Sequence, residues 1–323
     1  MAHEIATMVD GRSAMAYVGE TPWHGLGQAL TKGAPLETWA HESGMDFTIA
    51  GSPVLYRTAD AIEQQGSKQV LYREDTGIAL GVVGNKYKVV QPMEVLEFFR
   101  DLVEGQGFEL ETAGVLFGGA KYWALARTGN EVKIGEKDVL KDYLMLATAC
   151  DGTLKTTARR TSIRVVCNNT LNLSSQNALN DIKVAHSTTF DGNAVKSELG
   201  LTPEAWDLFG EQARQLAETR LTDKQAIAFV RNLFKDSSEK GNTQVSKVLQ
   251  LYSGQGKGSA YDSAQGTAWG LLNATTEMLD WHMGKSQDRR LEASWLYGGV
   301  NLKQQAFNGL LAVANDPGIL LAA

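Results

Sequence analysis

The chain has few of the residues that build metal sites or disulfide frameworks. Its 323 residues include two cysteines, Cys150 and Cys167, and five scattered histidines. The cysteines lie in separate apolar runs and lack the paired spacing of a zinc site. We therefore expect buried free thiols in a reducing compartment, no metal and no cofactor.

Long apolar runs are also absent. No stretch approaches the roughly 20 apolar residues that a membrane helix needs, and the N-terminus lacks the basic and apolar regions of a secretory leader. With 43% hydrophobic and 21% charged residues, the composition is that of a folded globular protein. We expect a cytoplasmic protein without a membrane partner.

Basic residues are not in excess. The formal net charge is -6 at pH 7, so the molecule as a whole would weakly repel a polyanion. Binding to nucleic acid would therefore require a local basic patch, and the net charge counts against a histone-like or broadly basic DNA coat.

Recognisable catalytic motifs are missing too. The sequence contains no HExxH, no GxSxG, no paired CxxC and no GxGxxG after a strand. The loop at 254–258 lacks the order and the preceding strand of a phosphate-binding loop. A metal-dependent nuclease remains an alternative, because it could use the carboxylates of Glu109, Glu111 and Asp151. An ordinary solvated strand face has the same pattern. A protein without catalysis is the favoured class.

One segment lacks acidic residues altogether. Between Gly152 and Asn180 every charge is positive. The apolar spacing from Ile163 to Leu171 predicts a helix with one buried face. A second stripe of that helix would suit phosphate, yet a solvated helix face has the same pattern. The residues of the basic stripe and its approach are Lys155, Arg159, Arg160, Arg164 and Asn168.

The order of patterns along the chain predicts an α+β fold. Strand-like runs and turns fill 47–90, a helix begins at Pro92, and a hairpin turns at Gly118-Gly119. A third strand then leads into the basic helix, which completes a strand-strand-strand-helix core on an antiparallel sheet. We expect an N-terminal arm at 1–45, an α+β core domain at 46–198 and a helical C-terminal domain at 199–323.

Three motifs resemble those of the phage/plasmid-like protein family, a domain of unknown function found on prophages, phages and conjugative plasmids. They are TPWHGLG at 21–27, GNKYKVVQPMEVLEFF at 84–99 and DGTLKTTARRTSIRVVCNNTL at 151–171. The resemblance implies a mobile-element context, in which DNA is transiently single-stranded.

The predicted core is also similar in topology to phage single-strand annealing proteins of the Erf and Red-beta class. In that class many subunits form a ring or filament, and a basic groove holds the DNA backbone. This similarity implies that the basic stripe contacts phosphates and that aromatic residues stack on bases. Strand alternation favours Tyr122 at the surface and Trp123 in the core. The further groove residues would be Lys86, Tyr87, Lys88, Lys121, Tyr122 and Arg127.

The function expected from these observations is binding of single-stranded DNA, with promotion of strand annealing and recombination. The partners would be single-stranded DNA, further copies of the chain in a ring or filament, and a host or phage single-strand-binding protein. The alternative from another class is a protein-binding module that inhibits a host defence or SOS factor through its acidic surface.

Overall fold

The computed structural model describes residues 5–19, 21, 25–164, 169–172, 181–199, 203–236, 243–283, 298–316 and 318. Trp23, His24, Cys167 and Asn168 lie outside these ranges. By contacts the chain forms two compact units, of which the first comprises Met1–Gly129, Tyr143–Arg160 and Asp181–Gly200 and the second comprises the remainder. The three-part division at 45/46 and 198/199 stays a prediction.

The first unit contains most of a large sheet. Three strands of this sheet have residues of the second unit at one end, at 130–133, 139–142 and 161–164. In this sheet β11 pairs with β9, and the order continues through β8, β7, β6, β1 and β2. β1 pairs with β2 in parallel and with β6 antiparallel. The strands are β1 (Met15–Val18), β2 (Gln28–Leu30), β6 (Glu109–Leu116), β7 (Lys121–Lys133), β8 (Val139–Ala149), β9 (Thr156–Arg164) and β11 (Asp181–Val184).

The strands that the sequence predicts within 47–83 form a smaller antiparallel sheet. It consists of β3 (Ile49–Arg57), β4 (Ile62–Arg73) and β5 (Ala79–Gly84). Each of its strands has one buried residue, and these are Ile49, Leu71 and Val83. The predicted strand at 87–90 does not form.

Short helices complete the first unit. They are α1 (Leu36–Glu42), α2 (Pro92–Glu97), α3 (Arg100–Gln106) and α4 (Gly192–Glu198). α2 begins as predicted, with Pro92 in its first turn and a capping box between Gln91 and Glu94. The single helix predicted from Pro92 is divided in two at Phe98 and Phe99.

The predicted basic helix is wrong, because this segment forms the strand β9. Thr156, Thr157, Thr161 and Ile163 are β-branched, and such residues favour strands over helices. All side chains from Thr156 to Ser162 are buried, so the strand lacks the alternation by which a half-exposed strand is recognised. The similarity to annealing proteins depended on a helix at this point.

The second unit is mainly helical, as the sequence predicts. Its helices are α5 (Pro203–Glu218), α6 (Asp223–Leu233), α7 (Thr243–Gln250), α8 (Ala268–Glu277) and α9 (Gly298–Asn315), and it also contains β10 (Asn169–Asn172). Trp206, Phe229, Trp269 and Phe307 are among the residues of its core. The α+β class with antiparallel strands and a helical C-terminal part is thus confirmed. Within the described ranges, no helix is both long and apolar enough to cross a membrane.

Candidate functional site

Two of the arginines predicted to contact DNA are buried. Only 3% of Arg159 and 6% of Arg160 is exposed. The Arg159 guanidinium donates two hydrogen bonds to Asp181, at 2.5 and 2.6 Å. Burial alone would raise the pKa of Asp181, but the hydrogen bonds and charge of Arg159 outweigh it and lower the pKa. Arg159 therefore fixes β11 to β9, and the prediction of an exposed basic stripe is corrected here.

The other end of the predicted stripe is described only in part. Arg164 lies in β9, but its side chain is outside the described part of the structure, as is the whole of Asn168. Their assignment to DNA contact stays a prediction.

Two residues of β7 that were predicted to contact DNA, Lys121 and Tyr122, are also buried. Lys121 is 5% exposed and Tyr122 is 1% exposed, and the Tyr122 hydroxyl donates to the carbonyl oxygen of Val90. Trp123 is buried as predicted. Alternation misplaced Tyr122 because both faces of β7 are covered from Lys121 to Ala126. Arg127 donates to Glu109 at 3.2 Å.

Three of the predicted lysines are exposed and are brought together. Lys86, Lys88 and Lys155 are solvent-exposed. His186 joins their two segments, because its Nδ1 lies 3.0 Å from the Lys88 carbonyl oxygen and its Nε2 lies 3.0 Å from that of Leu154. The Lys88 amide donates in turn to the His186 carbonyl oxygen at 2.6 Å. Residues far apart in sequence thus form one basic region.

The His186 ring has a second role at this point. It stacks on Tyr87, with ring centroids 4.2 Å apart and planes 16° apart. The Tyr87 hydroxyl donates to the Ala149 carbonyl oxygen at 2.7 Å. Burial, with smaller contributions from the charges of Cys150 and Asp151, raises the pKa of Tyr87 well above its ordinary value. Tyr87 is therefore a neutral, half-buried support of the lysine-bearing segments.

A fourth exposed lysine lies close to Lys155 on the adjacent strand. Lys183 of β11 pairs in register with Thr157 of β9, two residues beyond Lys155. Its side chain is 53% exposed, although its Nζ is 3.3 Å from the carboxylate of Asp181. We call these four residues, Lys86, Lys88, Lys155 and Lys183, the lysine surface.

Sequence reasoning missed Lys183 and His186. Lys183 follows the acid-free segment, and the acid before it, Asp181, looked like the end of the basic region. His186 stood alone without ligand spacing, and its hydrogen bonds to segments at 88 and 154 are contacts over long sequence separations. The only local signal for His186 was a large polar ring in a short strand-like segment. Such a ring does not by itself indicate which groups it contacts.

The carboxylates that left a nuclease open are occupied by other groups. Glu109 lies 2.5 Å from Lys32 Nζ and also accepts from Arg127. Glu111 accepts from the Tyr143 hydroxyl at 2.8 Å. Among the described residues, no three His, Cys, Asp or Glu side chains group as metal ligands. These contacts give the nuclease alternative no support.

The glycine-rich loop of the second unit already holds a carboxylate. The amide of Lys257 donates to both oxygens of Glu277, at 3.2 and 3.0 Å. The Lys257 ammonium lies 3.6 Å from the centroid of the Trp281 ring. The amide that would suit an anionic ligand therefore already binds a carboxylate of the same chain.

Comparison with known proteins identifies a family. The model described as a domain of unknown function (DUF932) matches residues 79–295, which is more than half of the chain and includes the whole lysine surface. No curated protein and no solved structure matches the chain.

Proposed function

Because the chain belongs to the DUF932 family, whose domain has no defined function, we propose a function from its own residues: the first unit binds the backbone of single-stranded DNA. The observation that carries the proposal is the lysine surface, in which exposed lysines lie on three chain segments that His186 and the pairing of β9 with β11 hold together. Basic clusters of this kind provide the sequence-independent part of nucleic-acid affinity.

The chemistry of the surface supports a phosphate backbone as its ligand. Lysine ammonium groups act as point charges toward phosphate and require no fixed geometry. The His186 ring lies between the carbonyl oxygens of Lys88 and Leu154 and so holds the two lysine-bearing segments together.

The net charge of the chain favours a single strand over a duplex. A charge of -6 opposes the dense charge of double-stranded DNA, and a flexible single strand follows a small basic region without bringing a second backbone with it. The phage or plasmid context belongs to the same proposal and is supported by the three sequence motifs alone. The annealing and recombination role is proposed from that context, because its topological support depended on a helix where Thr156–Arg164 forms a strand. The cytoplasmic location is proposed from the residue composition.

Assembly would increase the effect of so small a surface. β3 is an edge strand of the smaller sheet, and the hairpin that it forms with β4 exposes Leu55, Tyr56 and Ile62. Exposed edge strands with apolar residues pair readily with another chain. We propose a second copy of this protein as the partner, since repeated copies would bind one strand at several points. A single-strand-binding protein is the further partner proposed.

A salt titration with matched variants tests the DNA proposal. Binding of a labelled oligothymidine is followed by fluorescence anisotropy between 50 and 200 mM salt. For four phosphate contacts, the slope of log affinity against log salt should be about -3. The variant K86E/K88E/K155E should lose most of this affinity. The control K133E/K137E/K224E changes three exposed lysines of the second unit by the same charge and should bind within about twofold of the wild type.

The results separate the candidates clearly. Equal loss in both triple variants would show that only the net charge matters, which contradicts the lysine surface. No affinity of the wild type at 50 mM salt would contradict DNA binding and return the protein-binding module as the better candidate. Measurement of the mass in solution, with and without the oligonucleotide, tests assembly, and a monomer under both conditions would contradict it.

A further inference from the structure

The turn between β6 and β7 presents an aromatic side chain to solvent. Phe117 begins this turn and is 37% exposed, whereas the residues on either side of the turn, Leu116 and Lys121, are buried. An exposed phenylalanine is not unusual by itself. Its backbone, its neighbour and its position relative to the lysine surface make this one distinctive.

The backbone of Phe117 is held in the left-handed region. Its φ is +52°, and the next two residues, Gly118 and Gly119, also have positive φ. A bulky aromatic residue is rare in this region, and it is found where the surroundings impose it. The turn is confined here, since a Cβ atom on Gly119 would lie 3.0 Å from Arg73 Cδ. Glycine, which has no Cβ atom, would relieve the strain at this position, but it would not present a ring.

A buried cation lies against the ring. Lys121 Nζ is 4.8 Å from the centroid of Phe117, within the range of a cation–π interaction. The same Nζ is 4.0 Å from the carboxylate of Asp151, and the Lys121 side chain is 7% exposed. The ring is therefore held from the protein side by a charged group, while more than a third of the residue remains accessible.

Phe117 is connected to the lysine surface through one short segment. Lys121 faces Asp151, and Lys155 follows four residues later. Four residues span at most about 14 Å. The same segment is held near its start by the Tyr87 hydroxyl at Ala149 and near its end by His186 at Leu154. A strand with its phosphates on the lysine surface would thus have a base within reach of Phe117.

We propose that Phe117 is a stacking platform for a nucleobase of the strand that the lysine surface holds. The inference rests on the proposed function and adds its second component, since lysines bind phosphate and an exposed ring binds the face of a base. Base stacking on an aromatic side chain is tolerant of sequence, because every base has a π-face. This site would therefore distinguish nucleic acid from other polyanions without reading its sequence.

The test compares two oligomers of equal length and charge. One is oligothymidine of about 20 nucleotides, longer than the site of a typical single-strand-binding fold, and the other has the same backbone without bases. Wild-type protein should prefer the base-containing oligomer by about 5- to 100-fold. In Phe117→Ala this preference should largely disappear, whereas affinity for the abasic oligomer should remain within about twofold. Phe117→Trp should keep the preference.

A matched control removes an exposed apolar side chain elsewhere. Leu208 in α5 is 42% exposed, and Leu208→Ala should retain the full preference for bases. Thermal unfolding checks that each variant is folded, and retention in Phe117→Trp shows that the ring is what matters.

The outcomes distinguish the platform from the proposed function. If neither oligomer binds the wild type, DNA binding itself fails. If both bind and Phe117→Ala keeps the preference of the wild type, phosphate binding stands and the platform is overturned. Loss of the preference in Phe117→Trp as well as in Phe117→Ala would also overturn it, because an aromatic ring at this position would then not suffice.

Discussion

His186 stacks on Tyr87 and at the same time lies between the carbonyl oxygens of Lys88 and Leu154. One buried ring thereby fixes the relative position of the two segments that carry Lys86, Lys88 and Lys155. The basic character of this region depends on a residue that is not itself part of any basic run.

Replacement of His186 by Ala should weaken DNA binding although every lysine remains. The variant loses the hydrogen bonding of the ring to the carbonyl oxygens of Lys88 and Leu154 and one ring stack, which we expect to lower the free energy of unfolding by about 2–4 kcal/mol. Urea unfolding measures the loss, and anisotropy with oligothymidine measures the affinity. The control His41→Ala removes an exposed histidine and should change the free energy of unfolding by less than about 0.5 kcal/mol. Unchanged stability in His186→Ala would contradict the structural role.

Replacement of Asp181 by Asn should destabilise the fold in a pH-dependent way. The change leaves the buried Arg159 guanidinium without its carboxylate, at a cost of about 3–5 kcal/mol. Because the pKa of Asp181 is lowered on folding, this stability is fully present above the unfolded value of about 3.9 and is lost as the pH falls through the lower folded value. Urea unfolding should therefore show the full difference from wild type at pH 7 and a shrinking one below about pH 4.

Asp60→Asn, on an exposed turn, is the control for that series and should behave as the wild type. Arg159→Ala should likewise lower stability. If it instead left stability unchanged and reduced DNA affinity, Arg159 would be a DNA contact after all.

The Cys150 thiol should be unreactive in the native protein. It is buried and donates to the carbonyl oxygens of Gly119 and Ala120, at 3.4 Å each. Burial, with a smaller contribution from the charge of Asp151, raises its pKa to about 12, so almost no thiolate exists at pH 8. Alkylation at pH 8 followed by peptide mass mapping should find Cys150 unmodified in native protein and modified in urea. Rapid modification under native conditions would show that this region opens.

Local pattern was sufficient where an element is amphipathic or bounded by clear signals. The start of a helix at Pro92 and the helices of the C-terminal part follow from apolar spacing, Pro and capping residues. Pattern failed at Thr156–Arg164, where the strand is covered on both faces. A strand without a solvent face shows no alternation of apolar and polar residues. A short run of apolar residues then fits a helix equally well.

The sequence by itself determined the α+β class, the absence of a general basic character and the segments that carry positive charge. It could not determine which of those charges reach solvent. That choice depends on contacts between distant segments. Arg159 is neutralised by Asp181 through the pairing of β9 with β11, and His186 joins Lys88 to Leu154, the residue before Lys155. Charge is a property of a residue, but its exposure is decided by the strands and rings that pack around it, and only the tertiary structure specifies those.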